Sequence, residues 1–449
     1  MFFLGEDSVE NEFLLRREPF GGILAEKYGE KVKFLNPAGY EITLRIAKGL
    51  SDKKILEEIA SIFEVTDIEL VKNDIHRCRA MTQNSEGWDS FTDDLENLGT
   101  DDKLFPIPTL SAPLDLHWEV TNRCNLFCMH CYNRCSTQAC EPDLDQIRSV
   151  VSELQSTKLR NIVISGGEPL MRRDIKTIFE EVRPLTSVTT LSTNGTLITD
   201  TNSRWFPDLV DVANLSLDVG SKEGYEQFRG KKGSFDKCLQ GLRLLLKREI
   251  PVAIQTTISR FNIDRLEELA NLILAEGATS WIVRLPVASG RAVDNRDHFL
   301  SWEELVRKEP YIMDIRERYL PEFGTLNIGV NFAWTYKDLY RSAENEDKTI
   351  SCAAGTVLAL LKADGRMAPC PLFADTNFNS DAVWNNSFLE QWRSAACMQA
   401  MRSIKLSQIP LCYHCADYGN ICSTGCRAKS CLNGNLFSPD PDCGFLPDT

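Results

Sequence analysis

Three cysteines stand close together at Cys124, Cys128 and Cys131, in the stretch Thr121-Asn122-Arg123-Cys124-Asn125-Leu126-Phe127-Cys128-Met129-His130-Cys131. The spacing is C-x3-C-x2-C. Three thiolates in one loop can hold three irons of a [4Fe–4S] cube and leave the fourth iron open to a chelating ligand. The same spacing also fits a closed structural zinc or cluster site, with His130 as the fourth ligand. Spacing alone does not choose between them. Further chemistry-bearing residues follow in order. Gly166 and Gly167 allow a backbone to approach a ligand closely, and Glu168 can accept hydrogen bonds from an ammonium. Ser192-Thr193-Asn194-Gly195, Ser216-Leu217-Asp218 and Arg229-Gly230 come next.

These residues need elements to hold them. From Leu114 the pattern alternates strand and helix. Strands are expected at 114–121, 161–165, 187–192, 212–217, 252–258 and 280–285, with helices such as 144–156 and 265–276 between them. Six βα units at this spacing predict a parallel sheet curled into a full or partial barrel, whose chemistry sits at the C-terminal strand ends. Each motif above falls at such an end.

In that order, these motifs resemble the radical S-adenosylmethionine (SAM) superfamily over about residues 114–320. The resemblance implies a partial (β/α)6 TIM-type barrel. It implies a unique iron that chelates the amino and carboxylate groups of SAM. It puts Gly166, Gly167 and Glu168 at the methionyl ammonium and Ser216 and Arg229 on the carboxylate or ribose side. Asn194 and Asp218 are further candidates, and His130 and the residues around Pro286 would flank the adenine. One electron from the reduced cluster would cleave the sulfonium, and the 5′-deoxyadenosyl radical would take a hydrogen atom from an unactivated C–H.

The last 120 or so residues, 321–449, are cysteine-rich and short in regular pattern. Cys352, Gly365 and Cys370 read C-x12-G-x4-C. Cys412, Cys415, Cys422 and Cys426 follow at x2, x6 and x3, then Cys431 and Cys443. Two tetrahedral zinc sites fit this composition. The order also resembles the SPASM domain, with one departure: six residues rather than five precede Cys422. That resemblance implies two auxiliary [4Fe–4S] clusters, hence three in all. Cys352, Cys370 and Cys426 would serve the first, and Cys412, Cys415, Cys422 and Cys443 the second. Residues 353–369 contain no further cysteine, so the first auxiliary cluster either has an open iron or borrows Cys431 or Cys397. Cys135, Cys140 and Cys238 have no motif role and read as ordinary thiols.

Residues 1–84 read as a winged-helix-like α+β unit. Strands are expected at 20–26 and 31–35, joined by a turn at 28–30, and three helical stripes follow. His76 and Cys78 read as structural. The stretch Leu35-Asn36-Pro37-Ala38-Gly39-Tyr40-Glu41-Ile42, with Gly49-Leu50-Ser51-Asp52, resembles the PqqD-like recognition element of enzymes that modify ribosomally synthesised peptides (RiPPs). The resemblance implies that a precursor's leader adds as a strand beside 31–35. DNA binding is the rival for a winged helix. Fifteen Asp or Glu against twelve Lys or Arg over residues 1–79 make a poor phosphate binder. Residues 85–113, acidic and then proline-bearing, read as a solvated linker.

Composition bounds the rest. The chain has 449 residues, sixteen cysteines and a formal net charge of -14. That charge argues against nucleic acid as a partner. No apolar run reaches the roughly 18 residues that cross a bilayer, and Glu6 and Asp7 come too early for a signal peptide. A cytoplasmic protein without a membrane partner is expected, where clustered cysteine means metal. Together these readings predict a radical SAM peptide maturase forming a thioether or C–C crosslink. Flavodoxin or ferredoxin would supply electrons. The alternatives are sulfatase-maturating-type Ser or Cys oxidation, tetrapyrrole or quinone cofactor maturation, and an iron–sulfur or zinc scaffold without turnover. The sulfatase type carries an Asp after the G-x4-C cysteine, where this chain has Pro371.

Overall fold

A computed structural model describes residues 2–3, 13–28, 32–63, 65, 67–83, 109–135, 137, 141–328, 347, 349–350, 352–415, 418, 424–441 and 443. The N-terminal sheet has four antiparallel strands in sequence order: β1 (Phe2–Phe3), β2 (Phe13–Glu18), β3 (Gly21–Glu26) and β4 (Val32–Leu35). Three helices follow, α1 (Pro37–Ala47), α2 (Asp52–Phe63) and α3 (Ile68–Gln83). Asn36 caps α1 by accepting from Gly39 N at 2.7 Å, and Pro37 suits the first helical position. Ile55, Ile59, Val71, Ile75 and Cys78 bury their stripes against Leu15, Leu24 and Leu35. The expected strands at 20–26 and 31–35 are β3 and β4. The turn residues Gly29 and Glu30 lie outside the described residues, as do residue 84 and 85–108 of the expected linker. Its end is not a solvated tether: Leu110 and Ala112 are fully buried in the barrel core, and Trp392 Nε1 donates to Leu110 O at 2.8 Å.

The main sheet has nine strands in the order β11-β10-β9-β8-β7-β6-β5-β12-β13. Strands β5 (Asp115–Thr121), β6 (Leu159–Gly166), β7 (Thr186–Thr193), β8 (Val212–Ser216), β9 (Val252–Thr257) and β10 (Ser280–Arg284) are the six expected ones, all paired in parallel. β11 (Thr325–Ile328) adds in parallel to β10. On the far side, β12 (Leu358–Leu361) pairs in parallel with β5 and in antiparallel with β13 (Met367–Ala368). The sheet is therefore open, with its edges at β11 and β13. Helices such as α4 (Leu144–Leu154) and α5 (Ile175–Val182) cover one face, where Leu116, Trp118, Val120, Ile162, Ile164 and Leu215 make the core. Alternation sends His117, Glu119, Asn161, Thr190, Asn214 and Gln255 to the opposite face, the lumen. Two side-chain hydrogen bonds link these polar residues: Thr190 Oγ1 to Asn161 Oδ1 at 2.9 Å and Gln255 Nε2 to Asn214 Oδ1 at 3.3 Å.

Buried charge joins the N-terminal sheet to the barrel. Arg16, on β2, donates to Glu18 Oε1 at 2.7 Å, to Ala112 O at 2.7 Å, to Pro113 O at 2.9 Å and to Lys158 O at 3.1 Å. Glu18 in turn accepts from Ser111 N at 2.8 Å. Removing one partner of a buried pair strands the other charge. Arg16→Met should therefore lower unfolding stability by about 3 kcal/mol or more and open residues 13–83 to protease. Urea unfolding with limited proteolysis checks both, and unchanged cleavage and midpoint would refute the anchoring role.

Candidate radical cluster site

The loop after β5 turns on Thr121. Its hydroxyl accepts from Arg123 N at 2.9 Å and donates to Glu141 at 2.6 Å. Two backbone hydrogen bonds then bind this loop to the end of β6: Gly167 N to Thr121 O and Glu168 N to Arg123 O, both at 2.8 Å. The approach leaves no room for side chains. A Cβ on Gly166, whose φ is +134°, would lie 1.9 Å from Thr121 O, and one on Gly167 would lie 2.1 Å from Arg123 O.

The three cysteines of the loop share one apolar cluster with Leu126 and Cys135. Asn125 holds the loop from below, donating to Thr196 Oγ1 at 2.8 Å and accepting from Asn194 Nδ2 at 3.0 Å. Phe127 N and Met129 N donate to the carbonyls of Arg229 and Phe228, both at 3.1 Å. The loop after β10 closes the other side, where Arg291 N donates to Cys131 O at 2.8 Å and its guanidinium to Cys128 O at 3.0 Å.

Electrostatics at the cysteines are unfavourable without a cation. Burial pushes the Cys124 thiol up to about 12 and raises Cys128 as well. Arg229 opposes this at Cys128. It is buried, pairs with Asp218, and aims an N–H at Cys128 Sγ from 3.5 Å. At Cys131 the neighbouring Cys135 thiol is the largest influence and lowers the group. Among the described residues no three side chains are spaced to grip a single metal ion, but three thiols in one cluster approached by two arginines suit a larger cationic core, because thiolates are the ligand form and need compensating charge.

The other expected residues are distributed as follows. Glu168 is fully buried. It accepts from Thr193 Oγ1 and Asn194 N, both at 2.8 Å, and bridges β6 and β7. Asn194 is buried between Glu168 and Asn125. Asp218 is buried, accepting from Thr257 N at 2.8 Å. Ser216, half-exposed at the end of β8, remains accessible to a ligand. His130 stacks on Phe228 with centroids 4.6 Å apart, its Nδ1 lacks a hydrogen-bond partner, and burial takes its pKa down to about 4. Pro286 lines a cleft of about 540 Å³ with Leu285, Val287, Phe299 and Lys429. Arg291, Asn125 and Thr121 were not singled out from the sequence. The adjacent Gly290, whose Cβ would meet Cys131 O at 2.3 Å, is the signal that marks Arg291.

In the C-terminal part, Cys352, Cys370 and Cys426 come together, each close enough to Cys352 or Cys426 to influence the neighbouring thiol. Cys426 N donates to Asp440 at 2.6 Å. The buried Arg427 interacts electrostatically with Cys352, Cys412 and Cys426. Cys412 and Cys415 lie on one turn, with Cys415 N donating to Cys412 O at 3.2 Å, and Cys443 N donates to Asp440 O at 2.9 Å. Cys422 and Cys140 lie outside the described residues. Cys431 is half-buried beside Asp375 and Phe378, whereas Cys397 is buried with Met367 in the barrel core. Cys135 and Cys238 are buried.

The sequence profile of the Radical SAM superfamily matches residues 118–273, which span β5 to the helix before β10. These residues form a radical SAM domain, and the chain is an enzyme of the radical SAM type, a class that implies a [4Fe–4S] cluster and SAM. The chain is similar to an AdoMet-dependent heme synthase of Oleidesulfovibrio alaskensis, with 26% identity over 74% of this chain and 87% of that one. It is also similar to the mycofactocin maturase MftC of Mycobacterium tuberculosis, with 29% identity over 74% and 83%. In fold it matches SuiB of Streptococcus suis, solved bound to S-adenosylmethionine, with TM-score 0.72 and 18% identity over 97% and 100% of the chains. The same protein has been solved bound to precursor peptide SuiA. Among the described residues, no helix is long and apolar enough to cross a membrane.

Two outcomes follow from this geometry. Gly167→Ala should push the cluster loop off β6, and iron bound per chain after reconstitution should fall while circular dichroism stays native. Full iron loading would contradict it. Burial, offset in part by its hydrogen bonds, raises the Glu168 carboxyl from 4.5 to about 7. Between those values the folded chain keeps a proton that the unfolded chain has lost, so stability falls as pH rises through the window. Glu168→Gln should flatten that part of the profile, read from denaturant midpoints at about pH 5 and about pH 8.

Proposed function

We propose that the chain modifies a ribosomally synthesised precursor peptide, forming a thioether or carbon–carbon crosslink. The observation that carries this reading is the N-terminal sheet. Among the described residues its edge strand β4 pairs with β3 on one side only, so a peptide strand can add on the other. In this reading residues 1–84 recognise the leader, 85–113 are the linker, 114–320 the radical SAM barrel and 321–449 the SPASM auxiliary-cluster domain. Similarity to MftC and the fold shared with SuiB support it.

Cys124, Cys128 and Cys131 would hold the radical cluster. Cys352, Cys370 and Cys426 would hold one auxiliary cluster, and Cys412, Cys415, Cys422 and Cys443 another. When bound, cluster and SAM would supply one-electron radical chemistry able to take hydrogen from an unactivated C–H, with flavodoxin or ferredoxin as the proposed electron donor. Around them, the Gly166 and Gly167 backbone, Glu168, Ser216 and Arg229 would bind the methionyl and ribose parts. His130 and Pro286 would border the adenine. Arg229 keeps the Cys128 side electropositive, and the lumen side chains orient the substrate away from bulk water.

One observation favours a second reading. The similarity to AdoMet-dependent heme synthase runs over 74% of this chain, much like that to MftC, and points to tetrapyrrole maturation. The two are separated by one assay. Reduced protein with SAM is given either a precursor peptide from a small reading frame adjoining the gene or an iron porphyrin. Peptide modification predicts 5′-deoxyadenosine together with a peptide about two hydrogens lighter, and no reaction once the leader is removed or residues 1–84 are deleted. Porphyrin turnover with an untouched peptide would overturn it.

A further inference from the structure

Glu119 has no part in the site described above, although its surroundings are specific. It lies on the lumen side of β5, two residues before Thr121, and is 1% exposed. On one side it meets the end of the cluster loop. Tyr132, the residue after Cys131, has its hydroxyl 3.5 Å from Glu119 Oε1, and the Asn133 side chain lies near the carboxylate with its Nδ2 unpaired. On the other side it meets the C-terminal part of the chain. The β5–β12 register pairs Trp118 with Leu361, so Lys362 follows beside Glu119. Lys362 is largely buried and lies 3.8 Å from Asp364. It opens the turn into β13, closed by Gly365 N donating to Lys362 O at 2.9 Å and Lys362 N donating to Arg366 O at 2.9 Å. Gly365 abuts the Trp384 ring, where a Cβ would sit 2.4 Å from Nε1. Cys370 follows β13 after Pro369.

One buried carboxylate thus touches the loop leaving Cys131 and faces the cation of the hairpin leading to Cys370. We propose that Glu119 is a positioning residue, whose carboxylate couples the Tyr132–Asn133 end of the cluster loop to Lys362 and keeps loop and hairpin in one register. Uncompensated, a carboxylate in this place would be costly. Paired, it makes the loop geometry depend on the charge state of a single group. Burial raises that group to about 7, Asn133 and Lys362 oppose the rise, and Cys131 and Asp364 add to it. Tyr132 and Cys135 are the remaining titratable groups that face it.

Glu119→Gln, Lys362→Met and Tyr132→Phe test this in full-length reconstituted protein without peptide or porphyrin, so the outcome does not depend on the substrate. Two readouts are compared: the electron paramagnetic resonance spectrum of the reduced SAM-bound cluster, and 5′-deoxyadenosine formation against pH. Wild type should show a pH step near 7 in both. Glu119→Gln should abolish the step, alter the spectrum and slow cleavage by about tenfold. Lys362→Met removes the opposing cation, so the step should move to higher pH. Tyr132→Phe should alter the spectrum but retain the step. If Glu119→Gln does not load iron, the Lys362→Met shift decides alone. Wild-type spectra and pH profiles in Glu119→Gln, or an unmoved step in Lys362→Met, would overturn the proposal.

Discussion

The rest of the site depends on how closely two backbones approach each other. Residues 166 and 167 sit against the carbonyls of Thr121 and Arg123, where no Cβ fits, and two 2.8 Å hydrogen bonds fix the distance. This contact sets where the chain leaves β5 and hence where Cys124 begins. Glu168 then reaches Thr193 and Asn194, and Asn194 reaches Asn125 inside the loop. The ends of three adjacent strands and the cysteine loop are thereby one hydrogen-bonded unit. Glycine is required at 166 and 167 by space, which ties a sequence motif to a mechanical function.

Charge supplies the second layer. The interior around Cys124, Cys128 and Cys131 is apolar enough to hold two of the thiols protonated in the absence of metal. Arg229 and Arg291 approach from opposite sides, one toward a sulfur and one toward loop carbonyls. Asp218 in turn keeps Arg229 in place. At Cys124 and Cys128 such an arrangement favours ligand thiolates only when a cation is bound, which links metal loading to the order of the loop. The C-terminal cysteines repeat the design, with buried Arg427 among Cys352, Cys412 and Cys426.

The six barrel strands were legible because each is a short stretch of apolar and β-branched residues followed by a helical period, and their predicted limits agree with the observed ones to within two residues. The motifs at their ends were legible because glycine and cysteine have few substitutes. Other features lacked a local signal. β2 carries Arg16 and Glu18, which reads as surface until their partners, over ninety residues away, are known. β12 is the short run Leu358–Leu361, equally compatible with a helix, and only its pairing with β5 gives it meaning. Leu110 and Ala112 follow an acidic stretch that masks their burial. Arg291 and Asn125 act on backbone and amide groups, contacts that residue type does not encode.

SAM would bind through its amino and carboxylate groups to one iron that the polypeptide leaves free. Electron–nuclear double resonance on the reduced protein, with SAM isotopically labelled at its amino nitrogen, tests this directly. A hyperfine coupling from the labelled nitrogen to the Cys124/Cys128/Cys131 cluster is the predicted result. With SAM demonstrably bound, a cluster showing no such coupling, or a site holding zinc in its place, would contradict it.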